Sequence, residues 1–170
     1  MGIATARGLS LSRGLPVRGV CTLDALAAGI AEADASAVPF GGGATKRNSG
    51  VLAVLDGWRG EVFAALYGSE GERIWEPAVF RPEELAEKVA ALAEPPSVAG
   101  SGAVRFRQEL ARDGVRIPDD SDPVHRVAAR HVCALAAAAG AEDRDGLAPI
   151  YLRPPDAERW RERDAFQTAE

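Results

Sequence analysis

The pattern of hydrophobic and polar positions divides the chain into extended and helical segments joined by turns. Val51–Asp56 (VLAVLD) is apolar up to its last residue, which is typical of a strand buried on both faces. The glycine-flanked turn at 57–60 makes residues 61–67 the return strand of a hairpin, and residues 73–79 are predicted to form a third strand. The central part of the chain is therefore predicted to begin with three strands in a meander.

Helices and strands alternate after this meander. Pro82 is predicted to begin a helix whose apolar stripe consists of Leu85, Val89 and Leu92. The following segments are a strand at 97–100, a helix at 103–113, a short strand at 115–118, and a helix that Asp122 caps, Pro123 begins and Gly140 ends. This order predicts an α/β domain with the ribonuclease-H-like layout, which occurs singly and, duplicated, in the actin-like ATPase fold.

The first 34 residues repeat part of that layout. A helix at Gly2–Arg13, a strand at 15–21 and a helix N-capped by Thr22 precede a glycine-rich linker at 35–50. The same helix–strand–helix order recurs 100 residues later, with a strand from Val115. Either the chain holds two related lobes and begins inside the first, or the match is chance. The first helix favours truncation, because its apolar residues surround it and require burial on several sides.

The composition and net charge argue against several classes of protein. The chain has 170 residues, 46% of them hydrophobic, and a net charge of −5, which argues against a free-standing nucleic-acid binder. No uncharged apolar run approaches the ~18 residues of a membrane span, so no membrane association is predicted. Cys21 and Cys133 are too few for a disulfide framework and suit buried thiols in a reducing compartment, so we expect a cytoplasmic protein.

The two histidines do not form a metal pair by spacing. His125 and His131 are predicted to share a helix, where six residues place them about 240° apart. We interpret His131 as a buried structural residue and predict no metal site and no cofactor.

Two turns could carry chemistry. Asp56, Arg59 and Glu61 surround a hairpin of the kind in which actin-like ATPases hold Mg²⁺ and phosphate, although a plain hairpin with solvated or paired charges explains the same pattern. Gly100-Ser101-Gly102 lies between a strand and a helix and could cradle an anion or adenosine, although a tight turn alone also requires glycine. For each turn, the residues alone are compatible with both the binding site and the plain turn.

Four blocks of the sequence resemble, in order, the TsaB family. They are GIATARGLSLSRGLPVRGVCTLDALAAG, VLAVLDGWRGEVFAALYG, SVAGSGAV and PIYLRPPDAE. Members of this family are non-catalytic subunits of the bacterial system that adds threonylcarbamoyl to N6 of adenosine 37 in tRNA. The resemblance implies an actin-like fold, here a remnant of the first lobe (1–34), the linker (35–50), a complete second lobe (51–153) and a tail (154–170). It also implies N-terminal truncation, because the family's opening strands precede the first matching block.

The resemblance also implies partners and contact residues. The expected partners are a TsaD-like catalytic subunit, which forms a heterodimer with the family member, a TsaE-like ATPase, and tRNA through the complex; a homodimer is possible. Gly2–Arg13 matches the family's pairing helix, with Ile3, Ala6, Arg7 and Ser10 predicted at the contact and Ala4, Gly8 and Leu11 offering a rival face. Asp56, Arg59 and Glu61 match the family's Asp-Ala-Arg-Arg-Gly-Glu hairpin, which is expected to face the cleft between lobes, and Trp58 replaces its first arginine.

The sequence therefore supports two hypotheses about function. The first is a scaffold subunit that activates a catalytic partner in tRNA modification and has no catalytic residue of its own. The alternative is a fragment of an actin-like or sugar-kinase-like phosphotransferase that uses Asp56 and the turn at 100–102.

Overall fold

The computed structural model describes residues 2–36, 50–112, 114–143 and 146–153. Most of the predicted linker and the whole predicted tail lie outside these described residues. No helix within them is both long enough and apolar enough to span a bilayer.

A four-stranded mixed sheet organises the chain. Its strands are β1 (Val51–Asp56), β2 (Val62–Tyr67), β3 (Arg73–Phe80) and β4 (Ser97–Ala99), in the order β3-β2-β1-β4. β1 runs antiparallel to β2 and parallel to β4, and β2 runs antiparallel to β3. The predicted meander and fourth strand are confirmed to within one residue at each end.

The described part of the chain also contains six α-helices. They are α1 (Gly2–Arg13), α2 (Thr22–Ser36), α3 (Pro82–Ala90), α4 (Ser101–Arg105), α5 (Arg107–Leu110) and α6 (Ala129–Ala139). The bounds of α1 agree with the prediction. α2 includes Thr22 as its first residue, whereas the sequence placed Thr22 at the cap.

Alternate residues of β1 belong to two different hydrophobic clusters. Leu52 and Val54 pack in a cluster with Leu85 and Val89 of α3, on one face of the sheet. The other face forms a second cluster that includes Val51 and Ala53 of β1 with Leu23, Leu26 and Ile30 of α2. The continuous apolar run of β1 therefore reflects burial on both faces, as predicted.

Two predicted strands are wrong. Within the described residues, segment 15–21 forms only a single antiparallel bridge, between Val17 and Glu142. Segment 115–118 likewise forms a single bridge, in which Arg116 pairs with Ser97 of β4. A strand needs a run of paired residues, and within the described part of the chain each segment makes a single bridge.

Two predicted helices are also wrong in extent. The helix expected at 103–113 divides into α4 and α5 at Phe106, whose φ of −111° and ψ of 35° leave the helical region. The helix expected from Pro123 to Gly140 is a 3₁₀ turn at Pro123–His125 followed by extended residues and then α6. The predicted Asp122 cap is confirmed, since its carboxylate accepts the Val124 amide at 2.9 Å.

This break separates the two histidines. His125 lies in the 3₁₀ turn and His131 in α6, so their predicted position on one helix is wrong. Both are buried. The burial predicted for His131 is therefore confirmed, and Gly29 of α2 lies so close to its ring that an added Cβ would be 3.3 Å from Nε2.

Candidate functional site

The inner face of α1 is tied to the rest of the chain. The Arg7 guanidinium donates a hydrogen bond to the Leu147 carbonyl at 2.5 Å. The Ser10 hydroxyl, which is buried, donates to the Leu15 carbonyl at 2.6 Å. Ile3 and Ala6 are half-buried. The structure thus places all four predicted contact residues on a partly covered face, and two of them make contacts within the chain.

The outer face of α1, defined here by Ala4, Gly8 and Leu11, is exposed. Leu11 is 70% exposed, and nothing lies within 4 Å of a Cβ added at Gly8. Small residues one turn apart allow a second helix to approach closely, and an exposed leucine supplies apolar area for burial. This rival face has the geometry that helix pairing requires.

The hairpin between β1 and β2 has an unusual backbone. Trp58 and Arg59 both have φ of 59°, the left-handed region that residues with a Cβ rarely adopt, and Gly60 follows with φ of 78°. The turn closes through two hydrogen bonds, from the Gly57 amide to the Glu61 carbonyl at 2.9 Å and from the Glu61 amide to the Trp58 carbonyl at 3.1 Å. Trp58 projects from this turn with 71% of its surface exposed.

Arginines from distant elements neutralise the two carboxylates of the hairpin. Arg105 of α4 contacts Asp56 at 2.7 Å, and Arg153 contacts Glu61 at 2.7 Å. Asp56 also accepts the Trp58 amide at 2.9 Å. Both carboxylates are therefore paired, which agrees with the interpretation of this turn as a plain hairpin with paired charges. No group of three or more His, Cys, Asp or Glu residues in the described part of the chain could hold a metal ion.

The turn at 100–102 packs closely against the rest of the chain. The Gly100 amide donates to Nδ1 of His125 at 3.1 Å, so this amide is engaged inside the fold. Gly100 has φ of 123°, and an added Cβ would collide with the Val54 carbonyl. At Gly102 a Cβ would lie 2.8 Å from the Val54 side chain. Close packing of α4 on β1 thus accounts for both glycines.

A polar triad that sequence reasoning missed connects α2 to the sheet. The Tyr67 hydroxyl donates to Asp24 at 2.7 Å, and Arg73 donates to both oxygens of that carboxylate, at 3.0 and 2.6 Å. Burial, and then the hydrogen bond to Asp24, raise the pKa of the Tyr67 phenol above its ordinary value. The hydrogen bond to Asp24 likewise raises the pKa of Arg73. No periodicity in the sequence indicates this cluster.

Asp24 and Arg73 of the triad help to line a cavity of about 750 Å³ that lies beside α1, α6, the start of α2 and one face of the sheet. Its lining is largely apolar and includes Ile3, Phe63, Leu135 and Leu147. The charged groups at its edge include two ion pairs, Arg73 with Asp24 and Arg18 with Glu142. Its walls therefore present mostly hydrocarbon.

Comparison with known proteins defines the fold. No protein-family model and no curated protein matches the sequence. A crystal structure of an uncharacterized Pseudomonas aeruginosa protein with similarity to peptidase YeaZ is 25% identical, with a TM-score of 0.61, and the match covers 89% of this chain and 66% of that one. YeaZ from Pseudomonas aeruginosa is 23% identical, with a TM-score of 0.62, over 88% of this chain and 66% of its own. The chain therefore has a YeaZ-like fold and spans about two thirds of the length of either structure.

Proposed function

We propose that this chain is a scaffold subunit of the tRNA threonylcarbamoyladenosine system and activates a TsaD-like catalytic subunit. The observation that carries the proposal is the extent of its likeness to YeaZ, the TsaB-type protein, which covers 89% of the chain in one structure and 88% in the other. The four sequence blocks that resemble the TsaB family support the same assignment. They include α1, the β1–β2 hairpin and the turn after β4.

The catalytic subunit is proposed to dock on the outer face of α1. Arg7 and Ser10, two of the residues expected at the contact, hold this helix to the segments around Leu147 and Leu15. We assign them the task of orienting α1. The face formed by Ala4, Gly8 and Leu11 then meets the partner, because it is the exposed apolar side of the helix.

The chain is proposed to supply no catalytic residue. The groups that a phosphotransferase would use are engaged in other contacts: Asp56 with Arg105, and the Gly100 amide with His125. Transfer chemistry then belongs to the partner. tRNA and the TsaE-like ATPase join through the complex.

The proposed lobes follow from the sheet. Residues 51–153 would form a ribonuclease-H-like second lobe, supported by the order β3-β2-β1-β4 and by the bridge that continues it from Ser97 to Arg116. Residues 1–34 would be the end of a first lobe. In that arrangement the β1–β2 hairpin faces the cleft between lobes.

Sedimentation velocity tests the pairing. The 170-residue chain is mixed with the TsaD-like subunit of the same genome, and the proposal predicts a species with the mass of a heterodimer. Two unshifted boundaries at concentrations of about 10 μM, where a specific subunit pair should associate, would reject it.

A further inference from the structure

The cavity beside α1 and α6 presents apolar walls that the described residues leave uncovered. Residues 146–150 and Leu152 line it, together with Ile3 of α1, Phe63 of β2 and Leu135 of α6. Water against hydrocarbon walls is less favourable than a second apolar surface, so an apolar group that covered these walls would stabilise the chain. The cavity therefore requires an apolar occupant.

The charged side chains at the edge of the cavity do not select a charged occupant. Arg73 is paired with Asp24 at 2.6 Å, and Arg18 is paired with Glu142 at 3.8 Å. Because each of these cations already has a carboxylate beside it, neither one requires an anion from outside. The apolar walls alone decide what fits.

The chain leaves the described residues at the edge of the same cavity. Leu152 lines the cavity, and the next residue, Arg153, is held on the β1–β2 hairpin. Its guanidinium donates to Glu61 at 2.7 Å and to the Gly57 carbonyl at 3.3 Å. Phe63 lies two residues beyond Glu61 and also lines the cavity. Residue 154 therefore follows from a fixed point beside these walls.

The rest of the chain is long enough to supply the occupant. Residues 154–170 (PPDAERWRERDAFQTAE) contain two aromatic side chains, Trp160 and Phe166. Trp160 lies seven residues beyond Arg153, and seven residues of extended chain span up to about 25 Å. This reach exceeds the width of a cavity of about 750 Å³, so Trp160 can contact any of its walls.

Attachment to the same chain favours this occupant over a separate molecule. A group on a short tether has an effective concentration in the millimolar range, so that a weak contact is enough to keep it bound. Trp160 has a shorter tether than Phe166 and a larger ring system, and an aromatic side chain of this kind can bury about 150–250 Å². Trp160 is therefore the better match to the apolar walls.

We propose that segment 154–170 folds back on its own chain and that Trp160 occupies the cavity beside α1 and α6. In that position Trp160 covers Ile3 on the inner side of α1, near the hydrogen bond from Arg7 to the Leu147 carbonyl that holds this helix. The segment thereby stabilises the orientation of α1. This inference goes beyond the proposed function and depends on no partner.

The thiol of Cys21 reports on the cavity, because Cys21 is a half-buried residue of its wall. The full 170-residue chain with Cys133→Ser keeps Cys21 as its one cysteine, and the rate at which N-ethylmaleimide alkylates it is measured. Adding Trp160→Ala should raise this rate at least about fivefold, since access to a covered group follows the fraction of time it is uncovered. Trp160→Phe should keep most of the protection. Phe166→Ala is the matched control and should leave the rate within about twofold of the parent.

Three results would overturn the proposal. The first is a Trp160→Ala rate within about twofold of the parent, which would show that Trp160 does not cover the cavity. The second is a larger increase from Phe166→Ala than from Trp160→Ala, which would assign the cavity to Phe166. The third is protection that Trp160→Ala removes but that rises with protein concentration between about 1 and 100 μM, which would show that a second copy of the chain supplies the tryptophan.

Discussion

Nδ1 of His125 accepts a hydrogen bond from the backbone amide of Gly100 at 3.1 Å, across 25 positions of sequence. Nε2 of the same ring lies 3.1 Å from the Asp119 carbonyl and donates to it, so the buried imidazole bridges the end of β4 and the segment before the 3₁₀ turn. This bridge engages the Gly100 amide, one of the backbone donors at the turn before α4. His125 is therefore a structural residue.

Replacing His125 should destabilise the fold. His125→Ala would leave the buried Gly100 amide without its acceptor, which costs about 1–3 kcal/mol of unfolding free energy. Arg126→Ala is the control, because Arg126 is exposed beside it and should change stability by less than about 0.5 kcal/mol. Urea unfolding of both variants measures the difference, and equal stabilities would show that the bridge contributes nothing.

Two glycines with left-handed backbones should respond differently to alanine. Gly100→Ala places a Cβ against the Val54 carbonyl and the Leu26 side chain, and should cost more than about 3 kcal/mol or prevent folding. Gly60→Ala meets open space and should cost only the backbone strain, about 1–2 kcal/mol. Thermal melting with calorimetry compares them, and a Gly100→Ala protein as stable as Gly60→Ala would contradict the packing of α4 on β1.

The Tyr67–Asp24 hydrogen bond predicts a stability loss at high pH. The pKa of Tyr67 is raised from an ordinary value of 10.0, so the folded chain keeps its phenol proton where the unfolded chain releases it. The stabilisation is complete below pH 10 and falls as pH rises above it, by about 1.4 kcal/mol at pH 11. Urea unfolding at pH 8 and pH 11 should show this extra loss in the wild type relative to Tyr67→Phe. Equal losses of unfolding free energy in the wild type and Tyr67→Phe between pH 8 and pH 11 would contradict the prediction.

The two faces of α1 can be distinguished by mutation. Leu11→Glu would bury a carboxylate at the proposed helix pairing and should raise Kd for the TsaD-like subunit more than tenfold. Leu15→Glu is the matched control, since Leu15 is 53% exposed just beyond the helix. A larger effect of Arg7→Glu, with its unfolding free energy unchanged, would return the contact to the inner face.

The hydrophobic pattern of the sequence predicted those strands and helices whose formation depends on burying an apolar face. The apolar run of β1 and the apolar stripe of α3 each identify the surface that a segment buries, and the structure buries both in the hydrophobic clusters of the sheet. Strand pairing could not be predicted in this way, because it depends on whether another segment of the chain lies alongside to share backbone hydrogen bonds. Segment 15–21 has the composition of a strand, yet only Val17 finds a partner among the described residues.

The contacts of the candidate site join residues far apart in sequence. Arg105 lies 49 positions from Asp56, and Arg153 lies 92 from Glu61. No motif encodes such pairs, so the sequence identified the hairpin without showing which arginines hold it. The left-handed backbone at Trp58 was also unforeseen, because a tryptophan gives no signal for it.

The most direct test of the scaffold function is a reconstitution assay. tRNA, threonine, bicarbonate and ATP are incubated with the TsaD-like and TsaE-like subunits and the enzyme that forms the activated threonylcarbamoyl donor, with and without this chain, and threonylcarbamoyladenosine is measured by mass spectrometry. The account predicts product only when the chain is added and none from the chain alone with tRNA, threonine, bicarbonate and ATP. Product formed by the chain alone, or yields that its addition does not change, would contradict it.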